Sequence, residues 1–219
     1  KETTSAIPVI LDTDVGNDID DVLAMQMLLN YEKKGKIDLL GITISKCNPY
    51  SLEYIDAYCR FNDKNDIPLG YAYNGMNTDD GHYLRQTLDT IIDGNKILHS
   101  KRNLKDHIPE GYKLLRKLLA AQENHSVVFI ALGPETNLAR LLISEADEYS
   151  ELDGKALVAQ KVKLLSVMGG LYGNEFDFPE WNIINDLNAA QITFKEWPTP
   201  IIASGWELGN KIRYPHQSI

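Results

Sequence analysis

Residues 7–28 read Ile-Pro-Val-Ile-Leu-Asp-Thr-Asp-Val-Gly-Asn-Asp-Ile-Asp-Asp-Val-Leu-Ala-Met-Gln-Met-Leu. An apolar run over 7–11 gives way to five carboxylates within ten residues: Asp12, Asp14, Asp18, Asp20 and Asp21. Val22, Leu23, Met25, Met27 and Leu28 then begin an apolar spacing of helical type. The order predicts a short buried strand, a turn at Gly16 and a helix with an acidic first turn. A few acids at a helix N-terminus complement its dipole. Five beside the end of a buried strand repel one another and raise one another's pKa unless a cation neutralises them. Oxygen donors with no Cys or His nearby suit a hard cation, Ca²⁺ or Mg²⁺. A solvated acidic turn is the plainer alternative.

The rest of the chain repeats this strand-then-helix opening. The first helix is predicted over 20–34, with Gly35 as its stop. Residues 37–44 form a second apolar run, continuous rather than alternating, as in strands covered on both faces. Leu52, Ile55, Tyr58 and Cys59 mark a helix over 49–61, and 67–72 reads as a weaker strand. From 73 to 103 Asn, Asp, Gly and His dominate; so long a polar segment is functional, mobile or a surface insertion. Pro109 is read as opening a helix through Leu114, Leu115, Leu118 and Leu119. Further strands are predicted over 127–132, 162–168 and 199–204, and helices over 135–143 and 187–195. No internal repeat or low-complexity segment interrupts the pattern. This alternation defines an α/β fold with a largely parallel central sheet and helices on both faces.

A chain of 219 residues fits one domain and can bury most of its apolar surface in a single core. The net charge of −9 argues against nucleic acid and against an anionic membrane, since both require a basic footprint. No apolar run approaches membrane-spanning length. Cys47 and Cys59 form no disulfide framework and read as small buried thiols. The first residue is Lys1 rather than Met. A removed secretory signal or a shortened start would each account for that, so the compartment stays open between cytoplasmic and exported.

Parallel α/β sheets bind ligands outside the carboxyl ends of their strands. The first strand ends in Asp12, Asp14 and the acidic turn; the second ends in Asn48, which beside Pro49 also reads as a turn residue. Gly133-Pro134 follow Leu132 and expose backbone carbonyls that a cation could use. After Gly169-Gly170 come Asn174, Glu175, Asp177, Glu180, Trp181, Asn182 and Asn185, amides and acids interleaved with aromatics. Such a set suits a polyhydroxylated ligand, or else forms a polar loop with Asp186 capping the next helix. His82 lies in the polar segment and is a candidate for a flap, whereas His99, His107 and His125 read as surface residues.

Four of these stretches, in order, resemble the inosine-uridine preferring nucleoside hydrolases. DTDVGNDIDD resembles the family's Asp-x-Asp-x-Gly turn followed by Asp-Asp, here with two extra residues before Asp20-Asp21. ITISKCN ends in Asn48 where the family keeps a ribose-binding Asn. IALGPETNLA is similar to the segment lending a main-chain carbonyl to the metal, at Leu132. MGGLYGNEFDFPEWNIINDLNAA resembles the second signature, with Asn174, Glu180 and Asn182 at its positions and Trp181 as the aromatic. The resemblance, spanning roughly 7–209, implies a Rossmann-like domain that hydrolyses the N-glycosidic bond of ribonucleosides. The products are ribose and a free purine or pyrimidine base, a salvage reaction. It implies Ca²⁺ bound by Asp14, Asp21 and the Leu132 carbonyl, with Asp14 also the general base. Asp20, Asn48, Asn174, Glu180 and Asn182 would bind ribose, and a homo-oligomer, dimer or tetramer, is expected. The family's acidic His and its last metal ligand, an Asp, lie beyond the last residue given, and His216 sits too near the last strand to replace them. The expectation is therefore a single domain, 1–219, that continues toward the C-terminus in a longer protein. Two rival readings remain. Asp12-Thr-Asp14 also resembles the opening of haloacid-dehalogenase-type phosphohydrolases, with Asp12 as nucleophile and Mg²⁺ bound. The same pocket could also belong to a nucleoside- or ribose-binding protein without turnover.

Overall fold

The computed structural model describes residues 5–173 and 177–212. Its strands are β1 (Ile7–Thr13), β2 (Ile37–Ile44), β3 (Leu69–Tyr71), β4 (Ile91–Ile92), β5 (Asn95–Lys96), β6 (Val127–Ala131), β7 (Val162–Met168) and β8 (Ile201–Ser204). Between and after them run α1 (Asp20–Lys33), α2 (Pro49–Phe61), α3 (Leu84–Leu88), α4 (Gly111–Ala120), α5 (Thr136–Leu142), α6 (Gly154–Lys161), α7 (Trp181–Asn185), α8 (Leu187–Glu196) and α9 (Trp206–Lys211). Six strands form one parallel sheet in the order β3-β2-β1-β6-β7-β8. The chain winds outward one way from β1 to β3, returns to β6 beside β1, and winds outward the other way. That is a doubly wound sheet, and its topological switch point lies between β1 and β6.

Alternation along β1 places Val9 and Leu11 on one face and Ile10 on the other, and each face has its own buried cluster. Val9 and Leu11 pack with Met25 and Leu29 of α1 and Leu52 and Ile55 of α2. Ile10 packs with Leu115 and Leu119 of α4, Leu138 of α5 and Trp197. Two covered faces explain why the central strands read as unbroken apolar runs.

Several boundaries are set by particular side chains. The Asn48 carboxamide accepts from Tyr50 N at 2.9 Å and caps α2, with Pro49 at the first helical position. Asp186 caps α8, accepting from Ala189 N at 3.1 Å. Asp153 caps α6, a helix the sequence reading missed, accepting from Ala156 N at 2.8 Å. α4 begins at Gly111 rather than at Pro109, because Pro109 accepts a bond from Tyr71 N and Glu110 extends alongside β3.

The polar segment over 73–103 is structured. It carries α3 and a β4–β5 hairpin turned by Asp93 and Gly94, both at positive φ. Leu84, Leu88 and Leu98 are buried beneath it. Its far end is stapled to the buried Asp56 carboxylate, which accepts from Ser100 Oγ, Lys101 N and Arg102 N. Cys59 is buried and Cys47 half-buried, both as free thiols. Burial pushes the Cys59 thiol up to about 12.

Candidate active site

At the switch point a cavity of about 350 Å³ is lined by Asp14, Asn17, Asp18, Asp20, Asp21, His82, Leu132, Met168, Glu180, Trp181, Asn182 and Trp206. Six of the eight residues singled out from the sequence therefore share one wall system: Asp14, Asp20, Asp21, Leu132, Glu180 and Asn182. Asn174 lies outside the described residues, as does His216. Asn48 does not line the cavity; besides capping α2 it donates to Asp80 Oδ1 at 2.7 Å and to Asp79 O at 3.2 Å.

The acids are held in different ways. Asp14 follows β1, is 7 % exposed, and accepts from Asn77 Nδ2 at 3.0 Å. Burial raises its carboxyl to about 7; Lys46 pulls it down, and Asp12 and Asp20 push it further up. Asp21, in the first turn of α1, accepts from Thr13 Oγ1 at 2.5 Å. Burial and then the charge of Asp14 hold it well above the ordinary carboxylate range. Asp20 stands exposed on the rim.

The Leu132 carbonyl arrives from the end of β6. Asn182 Nδ2 donates to it at 2.8 Å and to Met168 O at 3.1 Å, tying the ends of β6 and β7 together. A carbonyl has two lone pairs, so one remains for a cation. Glu180 is fixed by three backbone amides, Gly170 N at 3.0 Å, Asn182 N at 3.0 Å and Ile183 N at 3.1 Å, and it caps α7. Gly133 matters here for its missing side chain rather than for its carbonyl: a Cβ there would stand 2.6 Å from Asp14 Cβ, Cγ and Oδ1. Gly133→Ala is expected to displace Asp14 and to cost roughly 1–3 kcal/mol, a fall of about 3–10 °C in Tm by calorimetry.

Asp12 is not a cavity residue. It is fully buried between β2 and β6, and its Oδ2 accepts from Thr43 Oγ1 at 2.5 Å and Asn137 Nδ2 at 2.8 Å. A nucleophile needs access to its substrate, so the phosphohydrolase reading built on Asp12 loses its central residue.

The sequence reading missed Asn17, Lys46, Asn77 and Trp206. Lys46 carried the clearest signal, a cation at the end of an apolar strand. Its ammonium is fully buried and donates to Asn17 Oδ1 at 2.6 Å, Asp79 Oδ1 at 2.7 Å and Asn77 Oδ1 at 3.4 Å. His82 lies on the cavity, while His99, His107 and His125 are exposed elsewhere.

Among the described residues no three His, Cys, Asp or Glu side chains converge on a metal-holding point. The donor set on the cavity wall is instead two mutually repelling buried carboxylates with a backbone carbonyl. Hard oxygen donors of this kind match an alkaline-earth cation, whose charge would relieve the repulsion.

A doubly wound sheet with an acid-walled cavity at its switch point defines an α/β enzyme-like domain. Residues 9–219 match the inosine-uridine preferring nucleoside hydrolase family, and the chain belongs to that family. Among curated relatives, it is 27% identical over 221 residues to the pyrimidine-specific ribonucleoside hydrolase RihA of Escherichia coli strain SMS-3-5, covering 94% of this chain and 62% of that protein. The chain thus spans less than two thirds of the length of that relative. Its fold matches the inosine-uridine preferring nucleoside hydrolase of Bacillus anthracis, with a TM-score of 0.65 and 18% identity over 96% of this chain and 68% of that one. It also matches the purine-preferring ribonucleoside hydrolase of Gardnerella vaginalis, with a TM-score of 0.62 and 20% identity over 90% of this chain and 60% of that one.

Proposed function

We propose that the protein containing this chain hydrolyses the N-glycosidic bond of ribonucleosides in a Ca²⁺-dependent reaction. The observation that carries this reading is the convergence of Asp14, Asp21 and Leu132, from the ends of two neighbouring strands and a helix start, on one cavity. Asp14 and Asp21 would hold the ion with the Leu132 carbonyl. Bound there, Ca²⁺ would supply the positive charge that lowers the pKa of the attacking water.

The chain's own residues then divide the remaining work. Asp14, with one oxygen fixed by Asn77, takes the proton as water attacks the anomeric carbon. Glu180, immobilised by three backbone amides, accepts from ribose hydroxyls, with Asn182 beside it and Asp20 on the rim. Holding the sugar rigidly aligns its anomeric carbon with the nucleophile. Asn48 joins this set only if its bonds to Asp79 and Asp80 are given up for the ribose. His82, Trp181 and Trp206 offer the face toward the base.

The test is release of reducing sugar from a panel of purine and pyrimidine ribonucleosides by the full-length protein with Ca²⁺. Ribose release that a chelator abolishes, and that added Ca²⁺ but not Mg²⁺ restores, is the expected result. Saturable nucleoside binding without any release would instead establish a binding protein that uses the same cavity.

A further inference from the structure

The buried lysine has no part in the scheme above, yet it joins the acidic turn to the polar segment beside the cavity. Asn17 belongs to the acidic turn, and Asn77 and Asp79 to the polar segment; the Lys46 ammonium bonds to all three. Asn77 in turn donates to Asp14 Oδ2. The segment lies directly on the turn. His82 N donates to Gly16 O at 2.6 Å, Gly81 N to Asp79 Oδ1 at 2.8 Å, and Tyr83 Oη to Asp18 O at 3.0 Å. A side chain on Gly81 would collide with the Gly16 carbonyl, so the two backbones are in contact.

Burying an ammonium is costly unless it is paired and hydrogen-bonded. Here the pairing is lopsided. Its ion partner Asp79 has a side chain 38% exposed, whereas Asp14 and Asp21, inside the cavity, feel the ammonium without bonding to it. Lys46 is therefore a fixed positive charge set beside the cavity's acids.

We propose that Lys46 is a positioning residue with two linked effects: it orients Asp14 through Asn77, and its charge opposes the cation that Asp14 and Asp21 would hold. The inference rests on the cation site proposed above. It makes cation affinity in this protein a balance between two acids and one built-in competitor. Its consequence is a pair of opposite shifts. Removing the ammonium strengthens cation binding while loosening Asp14. Removing its partner Asp79 leaves the ammonium uncompensated and weakens cation binding.

The experiment is calorimetric titration of Ca²⁺ into the full-length wild type, Lys46→Met and Asp79→Asn at low ionic strength, with hydrogen exchange of the Gly81 and His82 amides on the same samples. Lys46→Met is expected to bind Ca²⁺ about tenfold more tightly and Asp79→Asn several-fold more weakly, both effects shrinking in high salt. The Gly81 and His82 amides in Lys46→Met are expected to exchange about tenfold faster or more, with β1 and β2 protection unchanged. If nucleoside turnover is measurable, kcat falls in Lys46→Met despite the tighter ion. A purely structural lysine would weaken binding and turnover together. Asp79→Asn, altered at a half-exposed position, keeps the test decisive should Lys46→Met fail to fold. Unchanged or same-direction shifts in the two variants would overturn the role of Lys46 alone. A wild type that binds neither Ca²⁺ nor Mg²⁺ would overturn the cation site itself.

Discussion

Asp14→Asn is expected to stabilise the fold while removing its chemistry. The asparagine keeps an oxygen for Asn77 but carries no charge, so the repulsion felt by Asp21 disappears. In the wild type, burial raises the Asp14 carboxyl to about 7. Above that pH the folded chain must hold an ionised, poorly solvated group. Converted through linkage, the relief amounts to at most about 4 kcal/mol in chelator at pH 8, and less after solvent relaxation. Removal of a general base commonly costs about 10²–10⁴ in rate, and under the proposed function it would coincide with loss of a cation ligand. The two readouts, melting temperature in chelator and ribose release in Ca²⁺, therefore move in opposite directions. A variant that loses both activity and stability would mean that Asp14 is a structural acid.

The second large effect belongs to Glu135, which follows the Gly133-Pro134 turn. It is fully buried and neither carboxyl oxygen has a hydrogen-bond partner among the described residues. Burial raises it to about 8, with Glu180, Asp12 and Asp186 pushing the same way. The sign follows from proton counting. Between the unfolded value near 4.5 and the folded value near 8, the folded chain holds a proton that the unfolded chain releases. Stability from this group therefore falls as pH rises through that window and stays low above it. Glu135→Gln is expected to flatten the denaturation profile between pH 5 and 9, with a gain at pH 9 of at most about 5 kcal/mol. Urea titrations of both proteins at several pH values, with chelator present, would measure it. Parallel profiles would mean that Glu135 is solvated or paired in solution.

The sheet was readable because burial on both faces leaves an unmistakable trace. β2 and β7 coincide with the apolar runs at 37–44 and 162–168 residue for residue. β1 runs two residues past its apolar stretch, because Asp12 and Thr13 stay in register with β2 while Thr43 and Asn137 both donate to Oδ2 of the buried acid. α3, α6, α7 and α9 are not marked in the sequence: each is eight residues or fewer, and α9 buries no residue at all. The Asp93-Gly94 turn is a hairpin signal that the polarity of the surrounding segment masks.

The acids at the cavity were legible for a topological reason, since residues just after β1, β6 and β7 lie at the carboxyl end of the sheet, around the switch point. Lys46 and Asn77 were not, because their importance depends on where the polar segment lands. Composition says that such a segment is polar; only the contacts of Gly81 and His82 with Gly16 say that it lies on the acidic turn.

The strand order also has a consequence for how this protein is born. β1, β2 and β3 emerge before β6 during synthesis, yet β1 acquires its other neighbour only when β6 has been made. Until then one edge of β1 is bare, and the acids at its end face solvent on the side where β6 and its carbonyl will stand. The cation site proposed above would thereby depend on a later event in folding, the seating of β6 against β1. A nascent chain stalled before residue 127 would carry the whole acidic motif and yet lack the Leu132 oxygen that the proposed donor set includes.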